Sequence, residues 1–97
     1  MKVRLSEYEI KVIKNLIREI FGDSEIYIFG SRTNLNKKGG DIDIFIIPKQ
    51  KSNLYRKKVK LVSKLEFILE KPVDILISKD KNREIERNIL KEGVKLV

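Results

Sequence analysis

The chain reads as an α/β domain, a small β-sheet covered by helices. Three observations carry this. Apolar residues recur with helical spacing in several segments. Three short runs rich in Ile, Val and aromatic residues stand between them. Gly or Pro punctuates the junctions at Gly22, Gly39-Gly40, Pro48, Pro72 and Gly93. The expected order is α-β-α-β-α-β-α, with the second helix short and with no internal repeat or linker. Residues 1–97 are therefore expected to form one domain around one hydrophobic core, with no separate substrate domain.

The first helix begins at Ser6-Glu7-Tyr8-Glu9, a capping box in which Ser6 is N-cap and Glu9 reaches back. Ile10, Ile13, Leu16, Ile17, Ile20 and Phe21 form its apolar stripe, and Gly22 is a natural stop. Residues 26–29 are a short buried strand. Residues 31–37 can hold a short helix, and Gly39-Gly40 a turn. A second strand covers 41–47 and ends at Pro48. From about Ser52 to Glu70, Leu54, Leu61, Val62, Leu65, Ile68 and Leu69 mark another helix. Pro72 follows it, and residues 73–77 make a third strand. Asp80 can cap a last helix that carries Ile85, Ile89 and Leu90 and closes at Gly93. Strand directions stay open at this level.

Composition narrows the chemistry. There is no Cys and no His, which removes disulfides, thiolate or imidazole metal sites and His-based catalysis. Acid–base work must fall to Asp, Glu, Lys or Tyr. No run approaches the roughly 18 apolar residues that span a membrane. Met1-Lys2-Val3-Arg4 leads into a charged amphipathic segment instead of a signal-peptide core, so a cytoplasmic location is expected. The formal charge of +8 suits anionic partners such as nucleotide, nucleic acid or an acidic protein surface, and equally suits a solvated lysine-rich surface.

The chemically informative stretch is Phe29-Gly30-Ser31-Arg32, then Gly40-Asp41-Ile42-Asp43-Ile44. On a strand Asp41 and Asp43 point the same way, about 6–7 Å apart. Two carboxylates side by side on an apolar strand repel each other, and a divalent cation between them reverses the balance. Magnesium fits, since it takes one or two carboxylates and leaves its other positions to water and phosphate. Gly30 lets backbone approach a phosphate, and a helix starting after Ser31 would aim free N–H groups at it. Arg32 either meets a phosphate or is an exposed helix arginine. Asp74, between Val73 and Ile75, is a third carboxylate. If its strand lies beside the second, three carboxylates can hold two metal ions roughly 4 Å apart, which activate an attacking oxygen and stabilise a leaving phosphate. Otherwise Asp74 is a turn residue after Pro72 or an ion-pair partner of Lys71. The pattern points to metal-dependent chemistry on a nucleoside triphosphate.

Gly30-Ser31, a loop of nine residues and Asp41-Ile42-Asp43-Ile44-Phe45 resemble the signature of the DNA polymerase beta nucleotidyltransferase superfamily. The preceding helix, the later Val73-Asp74-Ile75 and the ending Ile85…Ile89-Leu90-Lys91-Glu92-Gly93 resemble its minimal nucleotidyltransferase branch, including the MntA-like antitoxins. The resemblance runs from about Ser6 to Val97. It implies a mixed sheet with helices packed against it and magnesium-dependent transfer of AMP from ATP to a hydroxyl. It also assigns roles. Gly30, Ser31 and Arg32 would bind the triphosphate. Asp41, Asp43 and Asp74 would hold two Mg2+ ions, and Asp74 would also deprotonate the acceptor. Many such proteins are encoded beside a HEPN-domain protein, and some are antitoxins that adenylylate a tyrosine of that toxin. The chain departs from many relatives at Thr33-Asn34-Leu35-Asn36-Lys37-Lys38, where Ala and Gly are common, and at Gly40, where Ser is common.

Between Asp43 and Glu66 there is no acidic residue, while Lys49, Lys51, Arg56, Lys57, Lys58, Lys60 and Lys64 are basic. Arg56, Lys60 and Lys64 recur every four residues along one helical stripe, which is either a solvated face or a docking surface for an acidic partner or RNA. The span lacks an aromatic stacking pattern, so sequence-specific nucleic-acid readout is not expected. The reading that results is a magnesium-dependent nucleotidyltransferase acting on a partner protein, as the antitoxin half of a HEPN pair. The alternative is a non-catalytic nucleotide-binding subunit that inhibits its partner by contact.

Overall fold

The computed structural model describes residues 5–30 and 41–97. Their order is α1 (Glu7–Phe21), β1 (Ser24–Phe29), β2 (Ile42–Pro48), α2 (Leu54–Leu69), β3 (Val73–Ile77), α3 (Glu84–Glu92) and β4 (Val94–Lys95). The capping box predicted for α1 is present: Ser6 N–H donates to Glu9 Oε1 at 2.9 Å, and Glu9 N–H donates to Ser6 Oγ at 3.1 Å. The other oxygen of the Glu9 carboxylate accepts from Lys71 Nζ at 2.6 Å, which ties the start of α1 to the α2–β3 turn. Gly22 closes α1 with φ +78°, a conformation that glycine adopts without a steric penalty.

The four strands form one sheet in the order β3-β2-β1-β4. β1 pairs antiparallel with β2 and β4, whereas β3 runs parallel to β2. The mixed sheet expected from the resemblance is thus the observed one. Parallel strands need a long crossover, and α2 supplies it. The inward stripes of α1 (Ile13, Ile17, Phe21) and α2 (Leu61, Leu65, Leu69) lie on one sheet face, against Ile26, Ile28, Ile42, Ile44, Ile46, Val73, Ile75 and Ile77. Because side chains alternate along a strand, Phe45 and Asp43 stand on the other face. Phe45 is fully buried there, its ring 6.1 Å from that of Tyr27, and Ile89 of α3 is buried outside the α1–α2 core as well.

Two details differ from the sequence-based expectation. A fourth strand, Val94–Lys95, adds to the β1 edge. It is two residues long, too short to leave a periodic signal. The last helix has Arg83, not Asp80, at its N-cap, and Asp80 Oδ1 instead accepts from Asn82 N–H at 2.9 Å in the turn before it. α2 starts after Asn53, which takes a left-handed conformation (φ 52°) and makes no side-chain cap. The short helix expected at 31–37 and the Gly39-Gly40 turn lie outside the described residues.

Candidate active site

The strand register brings the predicted carboxylates toward one end of the sheet. Asp43 is opposite Phe29 on one side and opposite Asp74 on the other. Neighbouring strands are about 4.8 Å apart and laterally paired residues share a face, so Asp43 and Asp74 stand side by side on the face away from α1 and α2. Asp43 is partly buried, and Asp74 is exposed. Asp41 lies one residue ahead of β2 and is exposed, while Ile42 N–H donates to Pro72 O at 3.0 Å and fastens the start of β2 to the start of β3. Asp74 is therefore a strand residue, not a turn residue. Lys71 pairs with Glu9 at 2.6 Å instead of with Asp74.

Gly30 follows β1 directly and has φ +73°, a backbone conformation that L side chains adopt at a cost. A Cβ there would fall against the Asp43 carboxylate, with Cγ at 3.2 Å. Glycine suits the position on both counts: it adopts the positive φ without strain, and a side chain would displace the Asp43 carboxylate. Sequence reasoning placed Gly30 near a phosphate. The structure adds that it is the floor under Asp43. Ser31 and Arg32, the other candidate nucleotide-binding residues, lie outside the described residues, as do the departures between Thr33 and Gly40.

Among the described residues no set of three or more Asp, Glu, His or Cys side chains could hold a metal ion. What the strands provide is the Asp43–Asp74 pair, with Asp41 two positions before Asp43. Two hard oxygen donors on neighbouring strands suit magnesium, which fills the rest of its octahedron with water and phosphate. The residues present thus fit such an ion as a pair of carboxylate ligands. Beyond the aspartates, the same sheet face carries Phe45, Tyr27 and Leu76, an apolar surface that leads away from the pair.

A cleft of about 570 Å³ opens elsewhere, over Ile17, Ile26, Ile47 and Pro48 with Arg18 and Lys49 at its rim. Pro48 is five residues along β2 from Asp43, about 17 Å away, and none of the three aspartates lines this cleft. The candidate carboxylates stand at the opposite end of the strand from this cleft.

One buried charged residue was not foreseen. Glu86 of α3 is fully buried. Its carboxylate accepts from Ser78 Oγ at 2.6 Å, Lys79 N–H at 2.9 Å and Asp80 N–H at 3.0 Å, with Arg83 at 3.6 Å. Burial pushes its pKa up, but the Ser78 hydroxyl, the two backbone donors and the Arg83 charge together hold it below the ordinary value. This is an anchor for α3 at the end of β3, opposite the aspartates, and not a reacting group. Its sequence signal is faint: Glu86 shares a helix face with Ile89 and Gly93.

Among the described residues no helix is long and apolar enough to cross a membrane. No curated protein matches the sequence. Several solved structures match the fold. One is a tri-AMPylated Shewanella oneidensis HEPN toxin in complex with an MNT antitoxin, with TM-score 0.74 and 22% identity over 96% of this chain and 72% of that one. A second is the toxin–antitoxin pair MntA-HepT, with TM-score 0.70 and 23% identity over 95% and 72%. A third, also from Shewanella oneidensis, has TM-score 0.73 and 17% identity over 96% and 72%. The family model described as "Polymerase beta, Nucleotidyltransferase" matches residues 11–97, nearly the whole chain, and the chain belongs to that nucleotidyltransferase family.

Proposed function

We propose that this chain is a magnesium-dependent adenylyltransferase that moves AMP from ATP to a hydroxyl of a HEPN-domain partner protein, and that it serves as the antitoxin of that pair. The observation that carries this reading is the pairing of Asp43 with Asp74 across β2 and β3, with Gly30 beneath Asp43. Membership of the nucleotidyltransferase family supplies the reaction class. The HEPN complexes formed by structurally similar proteins, one with an AMPylated toxin, suggest the partner and the group transferred.

Asp41, Asp43 and Asp74 would hold the metal, and Gly30, Ser31 and Arg32 would bind the triphosphate. Magnesium, when bound, supplies charge neutralisation at the phosphate that is attacked and the one that leaves. Asp43, seated on Gly30, is positioned by packing and would fix where a phosphate can lie. Asp74, exposed on the neighbouring strand, is open to an incoming hydroxyl and would take its proton as the oxygen attacks the α-phosphorus. Pyrophosphate leaves, and AMP stays on the acceptor oxygen. A subunit that inhibits its partner by contact alone would not need two carboxylates crowded on an apolar sheet face. Their placement side by side on adjacent strands favours the enzyme reading.

The test separates the two carboxylates. Calorimetric titration with ATP and magnesium should show that Asp43→Asn abolishes most nucleotide affinity. Asp74→Asn should bind ATP within several-fold of wild type while transfer falls by about 100-fold or more, the usual size of a general-base contribution. Unchanged ATP affinity in Asp43→Asn would refute the metal assignment. Equal losses of binding and transfer in Asp74→Asn would make Asp74 a ligand only.

A further inference from the structure

The outer face of α2 is unusual for a chain of this size. Tyr55 is 80% exposed and Phe67 85% exposed, and Val59 is 50% exposed. With Ser63 these residues recur every four positions, Tyr55-Val59-Ser63-Phe67, and form one ridge along the helix. Arg56, Lys60, Lys64 and Ile68 form the next ridge, also spaced by four. The core-facing side of the same helix is accounted for by Leu61, Leu65 and Leu69. An apolar ridge and a cationic ridge therefore run side by side, both facing outward. Among the described residues no carboxylate pairs with Arg56, Lys60 or Lys64.

Two parallel ridges of this spacing leave a groove that accepts the corresponding ridge of another helix, the commonest mode of helix packing in globular proteins. Ser63, the one small residue of the apolar ridge, leaves a notch between Val59 and Phe67 for a large side chain. Exposed Tyr, Phe and Arg are the residue types that concentrate binding energy at protein interfaces. Charge decides what kind of helix fits. No Asp or Glu occurs between Asp43 and Glu66, so an occupant must bring its own carboxylates. A second copy of this chain would set two cationic ridges against each other. Single-stranded RNA is a poor match too. Tyr55 and Phe67 are twelve residues apart, about 18 Å along the axis, too far to stack successive bases, and Val59 between them offers no aromatic ring.

We propose that the outer face of α2 docks a helix of the partner protein, one with an apolar stripe flanked by Asp and Glu, on the side of the sheet opposite the aspartate pair. The proposal rests on the reading of the chain as a protein adenylyltransferase. Docking away from the aspartates lets specificity reside on the surface while the nucleotide site stays general. The cationic ridge speeds encounter in a salt-dependent way, and the apolar ridge holds the complex once formed.

The probe is a purified HEPN-domain protein of the kind proposed above as the partner, captured on a sensor surface. Two variants are compared with wild type. Tyr55→Ser with Phe67→Ser should weaken binding about 30-fold or more, chiefly through faster dissociation. Arg56→Glu with Lys60→Glu and Lys64→Glu should slow association about tenfold at low salt and flatten its salt dependence. All five side chains are exposed, so both variants should melt with wild type and bind Mg–ATP normally. Wild-type binding kinetics in both variants, with AMP transfer intact, overturn the docking surface and leave the proposed function standing. A wild-type chain that binds Mg–ATP but not the HEPN protein overturns the partner reading and the docking surface together. The proposal also fails if the face proves to serve another occupant. One such result is a concentration-dependent dimer that Phe67→Ser abolishes. Another is oligoribonucleotide binding lost in the variants while HEPN binding persists.

Discussion

Gly30 and Asp43 meet so closely that a side chain at Gly30 would move the carboxylate. The structure contains its own control for that claim. Gly22 also has a positive φ, +78° against +73°, yet a Cβ on Gly22 meets nothing within 4 Å. Gly22→Ala and Gly30→Ala should each lose about 1–3 kcal/mol from the positive-φ backbone alone. Only Gly30→Ala should also displace Asp43. Its Mg–ATP affinity is expected to fall at least about tenfold, while Gly22→Ala binds as wild type. Thermal melts and nucleotide titration on the two proteins check this, and equal affinities would show that Asp43 can shift without consequence. At this scale much was legible in the sequence. Glycine after an apolar run, and two aspartates alternating with isoleucines, name the residue types that the chemistry needs. The contact between Gly30 and Asp43 was not legible, because it depends on the register that sets Phe29 opposite Asp43. No local spacing dictates that register.

The elements divide by how each is specified. α1 announces itself through a capping box and an apolar stripe, and both are realised. β2 and β3 are short Ile- and Val-rich runs whose existence is plain but whose relative direction is not. Parallel pairing follows from the α2 crossover, and only that pairing puts Asp74 beside Asp43. β4 is the least legible element, two residues with no periodic signal, while α3 was legible as a helix but its anchor was not, since a charged residue such as Glu86 reads in sequence as exposed. The linkage to pH follows from the direction of its shift. Glu86 has a folded pKa below the ordinary glutamate value of 4.5, so its contribution is complete above that value and is lost as pH falls through the folded pKa. Glu9, lowered by Lys71 and Ser6 against the opposing effect of burial, acts in the same window. Melting temperature should be level near neutrality and decline below about pH 4.5. In Glu86→Gln it should be lower at pH 7, and its decline into acid shallower. A variant with the wild-type slope would mean that Glu86 is not ionised in the folded protein.

Across the whole molecule the mixed sheet separates tasks. One face is closed by α1 and α2 around an apolar core. The other carries the aspartate pair at one end, with the Glu86 anchor at the end of β3 away from it. α2 faces both ways: its inner stripe builds the core, and its outer ridges are free for a partner. The described residues hold one core, so an acceptor must come from outside it. Family-level features were legible from the motif spacing. The docking face proposed on α2 was legible only in half, as a cationic stripe, because the exposure of Tyr55 and Phe67 is a property of how α2 packs. The central claim is AMP transfer to a protein through the aspartate pair. The measurement that tests it most directly is the intact mass of a HEPN-domain protein, the proposed partner, after incubation with this chain, ATP and magnesium. The account predicts added AMP on the HEPN protein, its loss when magnesium is chelated, and its loss in Asp43→Asn at unchanged fold. An unmodified HEPN protein with wild type, or undiminished modification with Asp43→Asn, would contradict it.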